Sequence, residues 1–174
     1  TPLISPNHAY YFDSGSTILS MAQQINEEHH AIVTSAANTA IELSRSGNNT
    51  VTLLGGQFSA NTLSSSGPQA QRMLQDINID VAFMATSGYS THGGFTVGSL
   101  SEAELKREVI RKSALTIMLL DHSMINKSYP FPFAQRAVDR EEAVEREVLE
   151  MLRVVFPVHG DHRSGTDQRV EMAA

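Results

Sequence analysis

A chain of 174 residues with a formal net charge of −6 and no cysteine has room for one α/β domain with a two-sided core, and not comfortably for two. The lack of cysteine excludes disulfides, thiolate catalysis and cysteine-ligated zinc or iron–sulfur sites, and suits a reducing compartment. No apolar run approaches bilayer-spanning length, the first residues hold no signal-like core, and the scattered basic residues make no phosphate-neutralising face, so a cytoplasmic chain that grips neither membrane nor DNA by itself is expected.

In chain order, Tyr10-Tyr11-Phe12 is an aromatic, β-favouring run that stops at Asp13. It passes through Ser14, Gly15 and Ser16 and opens at Thr17 into Ile18, Leu19, Met21, Ala22 and Ile25 at helical spacing. A strand over 10–13 and a helix over 17–28 are predicted. The first N–H groups of such a helix have no intrahelical partner and carry partial positive charge. Gly15 allows close approach to the main chain, and Ser14, Ser16 and Thr17 add hydroxyls, so a small anion, a phosphate ester foremost, is the natural guest. An N-capped helix after a strand uses the same residues.

Further strands are predicted over 30–35, 50–54, 81–85 and 115–120, apolar with little alternation, as in strands covered on both faces. Helices fall between them over 36–46, 67–77 and 100–113. Gly47 sits where a C-cap belongs, Gly67-Pro68 opens the third helix, and Ser99 or Ser101 caps the fourth with Glu102 and Glu104 in its first turn. His29-His30 stands at a helix-to-strand junction, where contact with the helix C-terminus accounts for it. Repeated strand–helix–strand order implies a mostly parallel, Rossmann-like sheet with helices on both faces. After residue 134 the pattern changes. Residues 139–156 hold Val144, Val148, Met151, Leu152 and Val155 on one helical face, expected to dock on the domain. From 157 to 174 periodicity is lost and a mobile tail is expected; His159-Gly160-Asp161-His162 lies there without a scaffold, so no metal site is expected.

Ligands of open parallel sheets bind beyond the carboxyl ends of the strands. The segments leaving those ends are 13–17, 35–38, 55–58, 86–94 and 121–127, each with glycine or small hydroxyl residues. Gly55-Gly56 permits close backbone approach, or a plain tight turn. The donor-rich run from Thr86 to Gly94 is longer than a connection needs and includes His92, so a binding loop and a flexible one both fit. Five such segments on one rim point to a polar, polyhydroxylated, phosphorylated ligand.

Three blocks carry a family resemblance: Tyr11-Phe12-Asp13-Ser14-Gly15-Ser16-Thr17, then Leu54-Gly55-Gly56-Gln57-Phe58, then Asp80 through Thr86-Ser87-Gly88. With Gly94-Phe95-Thr96, Glu102-Ala103-Glu104-Leu105-Lys106-Arg107 and Leu120-Asp121-His122-Ser123, they resemble the C-terminal sensor domain of DeoR-type sugar-operon regulators over about residues 10–134. The resemblance implies the fold shared by ribose-5-phosphate isomerase, glucosamine-6-phosphate deaminase and the CoA-transferases, a phosphorylated sugar or polyol effector, and homo-oligomerisation. It also implies a winged helix-turn-helix ahead of this domain in the intact regulator; none is expected within this chain, whose residues 1–9 only lead in to the first strand. Two departures matter. Where the family reads Asp-Ser-Ser-Lys-Phe, this chain reads Asp121-His122-Ser123-Met124-Ile125, and a thioether does not replace an ammonium opposite phosphate. Beyond Ala134 the family's further strand is not evident. Divergence, truncation and a shifted frame all give this pattern, and each leaves an exposed sheet edge.

The leading expectation is an effector-sensing domain with no cofactor and no catalytic residue. Asp13 accepts hydrogen bonds from ligand hydroxyls or orients its loop, and Ser14, Gly15, Ser16 and Thr17 hold the phosphate. Gly56, Thr86, Ser87 and Gly88 shape the walls, while Glu102, Lys106 and Asp121 bring charge to the rim. Without the resemblance, Glu102 and Lys106 read as an i,i+4 surface pair and Asp121 as a turn residue. The rival is a sugar-phosphate isomerase, which needs a carboxylate base and an enediolate-stabilising group. A third reading is a truncated remnant acting only through oligomer contacts.

Overall fold

The computed structural model describes residues 8–25, 29–45 and 47–135, and the backbone of 169–172. In chain order these form β1 (Ala9–Phe12), α1 (Ser16–Ala22), β2 (Ala31–Thr34), α2 (Ala37–Ser44), β3 (Thr50–Leu53), β4 (Gln57–Ser59), β5 (Ser64–Ser66), α3 (Pro68–Gln75), β6 (Ile79–Ala85), β7 (Gly88–Ser90), β8 (Gly94–Val97), α4 (Leu100–Lys112), β9 (Ser113–Leu120), β10 (Phe131–Ala134) and β11 (Arg169–Met172). Six strands make the main sheet in the order β11-β9-β6-β1-β2-β3, parallel from β9 to β3. No helix among the described residues is long and apolar enough to cross a membrane.

The period-two alternation of a strand divides the core in two. Tyr10, Phe12, Val81, Phe83, Ile117 and Leu119 face one side and pack with Ile18 and Met21 of α1 and Leu43 of α2. Tyr11, Ala82, Met84, Met118 and Leu120 face the other and pack with Leu74 of α3 and Ala103, Leu105 and Val109 of α4. Both faces are therefore covered, as the near-continuous apolar runs require. His30 belongs to this packing. It is buried edge-on against Tyr10, ring centroids 5.2 Å apart.

Several expectations change. α1 stops at Ala22, short of 28, because Gln24 and Ile25 donate to the carbonyls of Met21 and Ala22 at i−3 spacing and tighten the last turn. β4 and β5 form a hairpin over 57–66 that the sequence does not announce. The run from Thr86 to Gly94 is no open loop: β7 and β8 pair antiparallel and join β10 in a three-stranded sheet. The Thr86 hydroxyl closes that hairpin against the carbonyls of Gly88 and Thr96, at 2.9 and 3.0 Å. The β9 edge is not exposed, since β11 lies antiparallel along it. The helix expected over 139–156 and the His159-Gly160-Asp161-His162 cluster lie outside the described residues.

Candidate functional site

From β1 the chain winds outward to β3, then returns past β1 to lay down β6 and β9 on the other side. The strand order reverses between β1 and β6, and there the connections diverge and open a crevice at the strands' carboxyl ends. A cleft of about 400 Å³ lies at that point. Ser14, Gly15, Ser16 and Thr17 line it from the β1–α1 turn, and Thr86 and Ser87 from the end of β6. Glu102 and Lys106 reach it from α4, and Met124 closes one wall.

The β1–α1 turn is shaped for close approach. Gly15 precedes α1 with φ 127° and ψ 160°, a conformation that side chains rarely adopt, and its carbonyl accepts the Leu19 N–H at 3.0 Å. No side chain caps α1, so the hydroxyls of Ser14, Ser16 and Thr17 are not spent on its first turn. The helix has only seven residues, which makes the loop's own N–H and O–H groups the main donors and the dipole a minor one.

Behind this turn, Asp13 is buried at the end of β1. Its Oδ2 accepts the Ala85 N–H at 2.9 Å and the Lys106 ammonium, so one carboxylate ties β1, β6 and α4 together at the crossover. Lys106 also donates to the Ala85 carbonyl at 3.0 Å and lies 3.4 Å from Glu102 Oε1. Burial alone would lower the Lys106 pKa; Asp13 and then Glu102 outweigh it and hold the ammonium above its usual range. Burial raises the Glu102 pKa, Lys106 offsets part of the rise, and Asp13 adds to it. Beneath them Tyr11 donates its hydroxyl to Ser35 Oγ at 3.1 Å; burial and then Asp13 push its pKa well up. Lys106 is thus neutralised by Asp13 before any ligand arrives, and Glu102 accepts a proton more readily than a surface carboxylate.

Of the twelve residues expected at the site, the cleft gathers Ser14, Gly15, Ser16, Thr17, Thr86, Ser87, Glu102 and Lys106. Asp13 stands one layer behind, paired with Lys106. Gly56 immediately precedes β4 with φ 130°, where a Cβ would run into the Ser66 carbonyl. Gly88 lies under the backbone of Lys127, whose carbonyl oxygen a Cβ would meet at 2.6 Å. Both glycines serve chain packing away from the cleft. Asp121 accepts the Ser123 N–H at 2.6 Å, and His92 is exposed in the β7–β8 turn. The i,i+4 surface reading of Glu102 and Lys106 fails, because Lys106 is only 2 % exposed.

Asn38 of α2, in the 35–38 segment expected on the rim, also lines the cleft, as do three residues that the sequence does not mark: Asn61, Thr62 and Leu63 of the β4–β5 turn. Leu63 holds φ 50°, an uncommon conformation for leucine, and its carbonyl accepts the Ala37 N–H at 2.8 Å. The turn is thereby fastened to the first residue of α2. Asn61-Thr62 reads as a polar turn, but nothing in so polar a hairpin shows that it folds back over the cleft.

The family model described as the DeoR C terminal sensor domain matches residues 1–138. The chain belongs to the DeoR C-terminal sensor domain family. Among curated proteins, this DeoR-type sensor domain is similar to the HTH-type transcriptional regulator GolR of Listeria innocua, 30 % identical over 122 residues, 70 % of this chain and 48 % of GolR. It is similar to the regulator YulB of Bacillus subtilis, 31 % identical over 111 residues, 64 % of this chain and 43 % of YulB. It is also similar to the deoxyribose operon repressor of Escherichia coli K12, 26 % identical over 129 residues, 74 % of this chain and 51 % of the repressor. The chain spans about half the length of the curated relatives it matches, and these three are two regulators and a repressor. Among solved structures it is similar to ribose 5-phosphate isomerase A of Methanocaldococcus jannaschii, with 11 % identity, TM-score 0.49 and coverage of 98 % of this chain and 73 % of that one. The Plasmodium falciparum ribose 5-phosphate isomerase gives 14 % identity, TM-score 0.47 and coverage of 98 % and 72 %.

Proposed function

We propose that this DeoR-type sensor domain binds a phosphorylated sugar or polyol in the cleft between β1 and β6, leaves it chemically unchanged, and reports it to a regulator of sugar or polyol metabolism. DNA contact belongs to a helix-turn-helix of the intact regulator, and the effector is the partner of this domain. The observation that carries the reading is the convergence of Gly15 and three hydroxyl side chains with Lys106 at the crossover point. Ser14, Gly15, Ser16 and Thr17 hold the phosphate; Thr86, Ser87 and Glu102 meet hydroxyls; Asp13 positions Lys106. An isomerase would need a carboxylate free to take a carbon-bound proton. Of the three carboxylates that the sequence offers for that task, Asp13 is engaged by an ammonium and an N–H and, like Asp121, does not line the cleft, while Glu102 lines it with the Lys106 ammonium 3.4 Å away.

A thermal-shift panel of sugar and polyol phosphates tests this. A ligand at about a hundredfold over its dissociation constant adds about 2.7 kcal/mol, which reads as a rise of several degrees. Ser16 is exposed, so Ser16→Glu leaves the fold intact while placing a negative charge where the phosphate sits, and the shift should vanish. Incubation with ribose 5-phosphate or hexosamine 6-phosphates should give no product. Conversion of either sugar, or an undiminished shift in Ser16→Glu, overturns the assignment.

A further inference from the structure

Beyond Glu102 the cleft continues. A second lobe of about 270 Å³ lies between the β4–β5 hairpin and the start of α4, and it shares Thr62 and Glu102 with the first. Its walls are hydroxyls. Ser66 and Ser101 Oγ stand 3.1 Å apart, Ser99 and Ser101 Oγ 3.0 Å, and Thr62 Oγ1 lies 2.8 Å from Ser64 Oγ. Phe58, 54 % exposed, supplies an apolar wall. Among the described residues lining this lobe there is no lysine, arginine or histidine, and Glu102 is the ionisable group at its mouth.

That composition selects by charge. Hydroxyls donate and accept alike, so they pair with neutral hydroxyl groups of a ligand without leaving either side unmatched. An aromatic wall suits the C–H face of a sugar ring or polyol chain. A phosphate there would find no cation among the described lining residues and would lie against a half-buried carboxylate, without the β1–α1 turn and the Lys106 ammonium that line the first lobe. Building on the sensor reading above, we propose that this lobe receives the unphosphorylated, polyhydroxylated end of the effector. The site then selects a monophosphate long enough to pass Glu102 and rejects a second phosphate at the far end.

Titration calorimetry on the full 174-residue chain with fructose 6-phosphate, glycerol 3-phosphate, fructose 1,6-bisphosphate and inorganic phosphate tests the proposal. Fructose 6-phosphate should bind about tenfold or more tightly than either glycerol 3-phosphate or the bisphosphate. Phe58→Ala should shrink the first ratio and Glu102→Gln the second. Phe58 is exposed, and Asp13 still pairs Lys106 when Glu102 is changed, so both variants should fold; melting curves check this. Monophosphates binding regardless of length, or a bisphosphate binding as tightly as a monophosphate, overturn the two-lobed reading and leave the sensor reading standing. Ratios that both variants leave unaltered do the same. Absence of heat from all four probes brings down both.

Discussion

Lys106 sits between two carboxylates and a backbone carbonyl, with its side chain withdrawn from water. Desolvating an ammonium is expensive, and the Asp13 carboxylate repays the cost only while both charges remain. Lys106→Met leaves a buried carboxylate unpaired and should lower the unfolding free energy by about 3–5 kcal/mol in urea titration. Asp13→Asn added to it removes the stranded charge and should recover part of that loss. A single-variant loss below about 1 kcal/mol would mean that the pair is solvated. Glu102 behaves in the opposite sense. Its pKa is raised in the fold, first by burial, so the folded chain holds the proton more tightly than the unfolded one. The stability this brings is present below the unfolded pKa and is lost as pH rises through the folded value. Glu102→Gln does not titrate, so its stability relative to the parent should climb as pH rises above about 4 and level off once the pH has passed the raised folded value. A difference that stays flat would contradict the placement of Glu102.

The elements were legible in proportion to their apolar content. β1, β6 and β9 are runs whose alternate residues feed both cores, and β1 and β6 bound the cleft, so the sequence located its two principal rims. The β4–β5 hairpin stayed hidden because Ser64, Ser65 and Ser66 carry no strand signal. That strand is held instead by polar bonds: the Ser65 N–H reaches the Ser35 carbonyl at 2.8 Å, and its hydroxyl reaches the Leu54 carbonyl. The roof of the cleft went unread with it. β7 and β8 were concealed by the glycine and hydroxyl content that marks binding loops, and here the Thr86 and Thr96 hydroxyls pair with backbone carbonyls. The reading of α4 was recoverable: Ala103, Lys106 and Val109 recur at i,i+3 on the buried face, so spacing alone turns Lys106 inward. The pairing of Asp13 with Lys106 spans the whole crossover from β1 to α4, and no local pattern encodes a contact so distant in sequence.

At the scale of the whole molecule the two edges of the main sheet differ. β11 covers β9, whereas the outer edge of β3 has no ladder partner among the described residues. Leu53 and Ile41 are 46 % and 62 % exposed there, and with Val51 and Ala40 they line a groove of about 490 Å³ between β3 and α2. An open strand edge flanked by apolar side chains is a template for pairing, and a second copy offers the same edge in antiparallel sense. α2 connects this surface to the cleft, since Asn38 in its first turn lines the cleft while Ile41 and Ser44 line the groove. The chain should therefore self-associate through β3, and sedimentation velocity should show Leu53→Lys weakening that association about tenfold or more by setting two ammonium groups at one seam. Fructose 6-phosphate should still shift the melting of this variant, because Leu53 lies outside the cleft. A variant that sediments as the parent does would place the seam elsewhere and leave α2 without a link between effector and assembly.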